Sequence, residues 1–233
     1  MPEPAHVPSA DATQQRLLQA AGEVFAEKGY HAATVREICA RAGVHNIAAI
    51  NYYFRDKETL YAETLRFAAR SPLYENLTTE WPATAKPAEK LRWFIGLLVE
   101  KIVLACRDRP LWHMQLMMRE LTQPSPIGER IAQEFIRPVY ETLWAILREA
   151  LPPGLSERKL HLISFSIVGQ CMYHRLARHV IRIMVGEDEQ ATYDAETLTD
   201  HITEFSCRAL GLDWKRPGPK PGTKRVSTRG GRK

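Results

Sequence analysis

The chain has 233 residues, 45% apolar and 25% charged, a balance ordinary for a globular protein with a sizeable core. No apolar run approaches the ~20 residues needed to span a bilayer, and the start has no basic-then-apolar leader. The four cysteines (Cys39, Cys106, Cys171, Cys207) are scattered without a CxxC pair, so the expectation is a cytoplasmic chain with free thiols, no membrane partner and no disulfide framework.

The net charge of +5 is unevenly placed. Residues 215–233 hold eight Lys or Arg and no acid, which leaves 24 basic against 27 acidic side chains in residues 1–214. The body of the protein is therefore mildly acidic, and any case for a nucleic-acid partner has to come from a local motif.

In chain order, residues 1–9 are Pro-rich and expected to be disordered. Leu17, Leu18, Ala21, Val24 and Phe25 recur at three- and four-residue spacing, predicting a helix over 12–28 that Gly29 closes. Thr34 with Glu37 three residues on is the capping box of a second helix. That helix buries Val35, Ile38, Cys39 and Ala42 before Gly43 breaks it. Asn46 or His45 caps a third helix from Ile47 to Phe54. Asp56 caps a fourth that runs to about Arg70, where Pro72 stops it.

Further helices are predicted over 87–106, 110–122, 126–150, 156–185 and 194–210, separated by Pro- and Gly-containing breaks. No segment alternates long enough for a strand. The fold class is thus all-α, with a three-helix helix-turn-helix unit followed by a helical bundle. The boundaries are a disordered N-terminus at 1–11, the first domain at 12–71, the second at 72–212 and a basic, low-complexity tail at 213–233.

The wording FAEKGYHAATVREICARAGV followed by AINYYFRDKETLYAETL resembles the N-terminal domain of the tetracycline-repressor (TetR) family over residues 13–67. MMRELTQPSPIGERIAQEFIRPVYETL is similar to the effector domain of its CecR-like branch. The resemblance implies a homodimeric regulator that binds double-stranded DNA at a palindromic operator, by default a repressor released by a small-molecule effector. It implies no catalytic residues, metal or cofactor. One departure is visible: GVHNIAAINYYF is one residue longer than the branch's usual turn, the extra residue falling at His45 or Asn46.

At 100° per residue, Ile50 and Phe54, with Ile47 beside them, form the packing side of the third helix. Ala48, Ala49 and Tyr52 lie opposite, flanked by Asn51 and Tyr53. Small side chains let a helix sit deep in a major groove about 12 Å wide, and Asn46 or Asn51 can pair with an adenine edge. Tyr52 and Tyr53 can donate to phosphates. The resemblance adds Lys57 and Thr34 as phosphate contacts and Arg36 as a base or phosphate contact; Thr34 reads equally well as a cap alone.

In the second half, Trp112, Met114, Met117, Met118, Phe165, Cys171, Met172 and His174 suit an apolar or amphipathic effector, though such residues also make ordinary core. His113 with Arg119 and Glu120 is a candidate polar anchor. Leu160, Ile163, Ile167, Cys171 and His174 form a stripe that fits a dimer interface. Cys171, His174 and His179 do not make a closed zinc pattern. No HExxH, GxSxG or Gly-rich phosphate loop supports an enzyme. The tail's eight charges suit sequence-independent affinity for a DNA backbone.

Overall fold

The computed structural model describes residues 10–69, 84–100 and 110–215, and every regular element among them is a helix. The expected disorder of the N-terminus, the Pro72 stop, the far end of the 87–106 helix and the tail beyond 215 lie outside the described residues. The elements are α1 (Ala10–Ala32), α2 (Val35–Arg41), α3 (Ala48–Phe54), α4 (Lys57–Ala69), α5 (Pro87–Leu98), α6 (Leu111–Thr122), α7 (Pro126–Ala150), α8 (Glu157–Leu176), α9 (Arg178–Val185), α10 (Glu187–Ala191) and α11 (Ala195–Leu210).

Three helices of the later half begin on side-chain caps. Ser125 accepts from Gly128 N ahead of Pro126 at the start of α7, Ser156 caps α8, and the Asp194 carboxylate accepts from Thr197 N at 2.8 Å to cap α11. Those backbone hydrogen bonds hold the Asp194 carboxyl below its ordinary range.

Two hydrophobic cores organise the molecule. The first joins Leu17, Phe25, Ile38, Ile50, Phe54 and Leu65 to Trp112, Leu116, Ile127 and Ile131. It therefore contains α1–α4 together with α6 and the first turns of α7. The second gathers α5 (Leu91, Phe94, Ile95), the later turns of α7 (Val139, Leu143, Leu147), α8 (Leu160, Ile167, Cys171) and α11 (Ile202, Cys207). A partly buried ion pair, Arg92 to Asp200 at 2.8 Å, ties α5 to α11.

Two expectations are corrected here. The single helix predicted over 156–185 is broken at Ala177, whose backbone leaves the helical region (φ −95°, ψ 16°). Neither Gly nor Pro marks the break, and Ile181 continues the heptad spacing, so the sequence carried no signal for it. The second concerns the stripe expected to face a partner: Leu160, Ile167 and Cys171 are buried within their own subunit's second core. α8 instead leaves Leu162, Phe165, Tyr173 and Leu176 exposed on another face.

Candidate nucleic-acid interface

The interface begins with the capping box. Thr34 Oγ1 accepts from Glu37 N at 3.2 Å, while the Glu37 carboxylate accepts from Thr34 N at 3.2 Å and from its hydroxyl at 3.0 Å. Lys28 also donates to Glu37, and this bond more than any other holds the Glu37 carboxyl below its usual range. Arg41 grips Glu27 with two guanidinium nitrogens at 2.6 and 3.0 Å. The α1–α2 pair is thus fixed through both ends of α2.

Gly43 then takes φ +65°, with Gly43 N donating to Ala40 O and Val44 N to Cys39 O at 2.9 Å. This Schellman closure needs a left-handed residue at that point, which glycine adopts without strain. Asn46 Oδ1 accepts from Ala48 N at 2.9 Å, so of the two expected caps it is Asn46 that receives α3, and the helix starts at Ala48, one residue later than expected.

α3 is held down by Ile50 and Phe54, both buried. Ala48, Asn51 and Tyr52 face outward, with Tyr52 80% exposed. Three placements differ from the sequence reading. Ile47 is 49% exposed and joins the outer face, whereas Ala49 and Tyr53 are partly buried against the first core. A helix of seven residues starting at Ala48 leaves Ile47 ahead of the helical turn, so the 100° rule does not govern it. Tyr53 keeps a tilted contact with Phe54 and an edge contact with Tyr52 at 4.9 Å.

Arg55 was missed by the sequence reading. It follows α3 with φ +69°, is exposed, and sits beside Asp56, whose carboxylate caps α4 by accepting from Thr59 N at 2.7 Å. A basic residue between a helix end and an Asp cap was the available signal.

Lys57 is anchored rather than free. Its ammonium lies 4.7 Å from the centre of the Tyr30 ring and donates to the His31 carbonyl at 3.4 Å, and burial lowers its pKa. Arg36 is exposed on α2. The outward surface therefore combines Arg36, Asn46, Ile47, Ala48, Asn51, Tyr52 and Arg55, on a frame that a groove-filling helix requires.

The residues expected to line an effector site are spread over both cores and the surface. Trp112 is buried in the first core, where its ring covers Gly22 so closely that a Cβ there would come within 2.3 Å. Met117 packs on the same core. Cys171 is fully buried in the second, and burial pushes its thiol up to about 12, as expected of an inert core cysteine. Phe165 is 59% exposed on α8. Met114, Met118, Met172 and His174 are half-buried.

The expected polar anchor is also reassigned. Arg119 donates to the Lys28 carbonyl at 3.2 Å and covers Gly29. Glu120 accepts from the buried Tyr61 hydroxyl of α4 and from Ser125 N at 2.9 Å. Both residues join α6 to the first four helices.

These features define a helix-turn-helix DNA-binding regulator whose second, helical half is attached through α6 and α7. Residues 17–64 match the family model for bacterial regulatory proteins of the tetR family, and residues 87–210 match that for the C-terminal domain of the HTH-type transcriptional dual regulator CecR. The chain belongs to the TetR family of transcriptional regulators and carries a CecR-type C-terminal domain.

The chain is 26% identical to the HTH-type transcriptional dual regulator CecR of Shigella flexneri over 218 residues, 87% of this chain and 95% of that one. It is 40% identical over 57 residues to the HTH-type transcriptional regulator BetI of Yersinia pestis, which covers 24% of this chain and 28% of BetI. Among solved structures, a TetR-like transcriptional regulator from Rhodococcus sp. RHA1 superposes with a TM-score of 0.57 at 19% identity, covering 88% of this chain and 99% of its own. FadR of Bacillus subtilis in complex with stearoyl-CoA superposes with a TM-score of 0.51 at 23% identity, covering 82% and 96%. These two structures share the fold.

Proposed function

We propose that this protein is a dimeric repressor whose α3 helices enter successive major grooves of a palindromic operator, and that a small effector releases it. One observation carries the reading: α3 buries Ile50 and Phe54 while presenting Ala48, Asn51 and Tyr52 to solvent. Ala48 allows close approach of the helix to base edges, and Asn51 and Asn46 offer amide pairs of the kind that read adenine. Tyr52, Arg55, Arg36 and Lys57 suit the phosphates on either side. Thr34 acts as a cap first, since both its hydroxyl and its amide are already engaged.

The exposed stripe of α8 supports dimerisation. Leu162, Phe165, Tyr173 and Leu176 line one side of it, Gly169 has open space where a Cβ would stand, and Phe205 of α11 is also exposed. Two antiparallel copies of α8 and α11 would bury this surface as a four-helix interface. That arrangement would bring two recognition helices to one duplex, with half-sites one helical turn (about 34 Å) or a multiple of it apart.

Selection of bound fragments from random duplex DNA tests the reading. The expected result is an inverted-repeat consensus whose recovery falls sharply for Asn51→Ala. A population without consensus would overturn it. Removing residues 215–233 should leave the consensus unchanged and reduce only salt-sensitive affinity.

A further inference from the structure

α8 carries a cation whose side-chain acceptor is not an acid. Arg175 is half-buried near the end of that helix, and the acceptor of its Nε–H is the thioether of Met114 on α6, at 2.7 Å. No carboxylate lies within ion-pair distance of Arg175 among the described residues. A thioether is a weak acceptor, and a guanidinium withdrawn from water without an oxyanion is poorly compensated. Its planar fork matches carboxylate, sulfonate and phosphate oxygens, and charge-assisted hydrogen bonds are about twice as strong as neutral ones.

The surroundings extend the pattern. Beyond the break at Ala177, Arg178, His179 and Arg182 line a cleft of about 760 Å³ together with Gln190, Tyr193, Glu187 and Asp194. The acids in that cleft are already engaged: Glu187 pairs with Arg182 at 3.3 Å, and Asp194 caps α11. His179 is bonded to Arg182. Arg178, three positions after Arg175, is exposed, lines the cleft and makes no ion pair among the described residues. The His174 ring meets Tyr193 edge-on at 6.2 Å, which links the last turn of α8 to this cleft. Met114, which touches Arg175, and Met118, one turn further along α6, are half-buried, flexible and apolar.

We propose that the effector is an anionic amphiphile, whose oxyanion is received by Arg175 with help from Arg178 and whose apolar part lies along the methionines of α6. The proposal rests on the effector-responsive reading above and supplies its ligand class. It also gives the ligand a lever: Arg175 belongs to the second half of the molecule, and Met114 to the helix that is packed into the DNA-binding core.

The test uses two fluorescent probes with one apolar skeleton. Anilinonaphthalene sulfonate carries an oxyanion, and phenylnaphthylamine is its neutral counterpart. The full chain should bind the sulfonate at least about ten-fold more tightly, the equivalent of one charge-assisted contact. Arg175→Met should bring the two affinities together and leave the neutral probe's affinity unchanged. Arg175→Gln, which retains a hydrogen-bonding end, serves if the methionine variant does not fold and should behave alike. Arg175→Lys should keep most of the preference.

Decanoate and decyl phosphate, matched in chain length, should displace the sulfonate and thereby separate a carboxylate from a phosphate ligand. An unchanged sulfonate preference in folded Arg175→Met or Arg175→Gln overturns the proposal, as does equal affinity of the unaltered chain for the two probes. Retention on selected duplex DNA is measured in parallel. Loss of that retention by the unaltered chain would remove the regulator reading and leave the probe comparison standing.

Discussion

The two cores solve different problems. The first brings together helices from both halves of the chain: α1–α4 pack around Phe25, Ile38 and Ile50, and α6 adds Trp112 and Leu116 from more than forty positions beyond α4. The second is built wholly from the later half. The division expected from sequence falls near residue 71, but the packing divides further along, within α7. Ile127 and Ile131 of that helix belong to the first core, and Val139, Leu143 and Leu147 to the second.

Pro138 stands between these two groups, inside the helix. It has no N–H to donate to the carbonyl four residues before, which makes this the weakest point of the helical ladder. The contrast teaches that α6 and the start of α7 belong mechanically to the DNA-binding unit. A change in the second core reaches that unit across a proline or through the contact of α8 with α6.

The sharpest way to break this picture is at Trp112. Trp112→Ala empties the space over Gly22 and should cost about 3–5 kcal/mol in urea unfolding. A loss below about 1 kcal/mol would mean that α6 is not part of the first core.

Tyr61→Phe is the next test. It removes the donor that the half-buried Glu120 carboxylate receives from α4, and an acceptor left short there costs about 1 kcal/mol, Ser125 still donating to it. Burial and then the Glu120 contact raise the Tyr61 pKa well above its ordinary value. The hydroxyl therefore stays protonated, and its own titration should add no pH dependence to stability below pH 9 or so.

Substitutions on the outer face of α3 should do the opposite. Tyr52→Ala and Asn51→Ala should each change stability by no more than about 0.5 kcal/mol. Their cost should appear in operator affinity, about 1–3 kcal/mol for a base-reading contact. Pro138→Ala restores a donor to the middle of α7 and should raise the melting temperature while weakening the effector's influence on DNA binding. An unaltered effector response would show that coupling passes elsewhere.

The smallest effect concerns His174. Burial, followed by the neighbouring His201, lowers its pKa below the ordinary 6.5. The unfolded chain therefore binds more protons once pH drops below about 6.5. Stability should decline from that value down through the folded pKa and then level off. His174→Gln should flatten this part of the curve in chemical denaturation at a series of pH values.

Much of the architecture was legible in one dimension because its determinants are local. Thr34 with Glu37, Gly43, Asp56 and Ser125-Pro126 punctuate helices through hydrogen bonds spanning three or four residues. The pairing of Ile50 with Phe54 follows from helical spacing alone. Ile47, Ala49 and Tyr53 were misplaced because a seven-residue helix is too short for periodicity to settle its flanks. Arg55 was overlooked because a charged residue between two caps has no periodic signature.

What the chain's order of residues determined by itself was the series of helices, their ends and the outward composition of α3. These depend on propensity and capping within a turn or two. The tertiary structure alone decided which apolar stripe of α8 turns inward, that Trp112 and Cys171 serve different cores, that Glu120 and Arg119 clasp the DNA-binding helices, and that Arg175 meets a thioether. Each of these is a contact between residues far apart in sequence. An amphipathic pattern states that a face will be buried, and only packing chooses the neighbour that covers it.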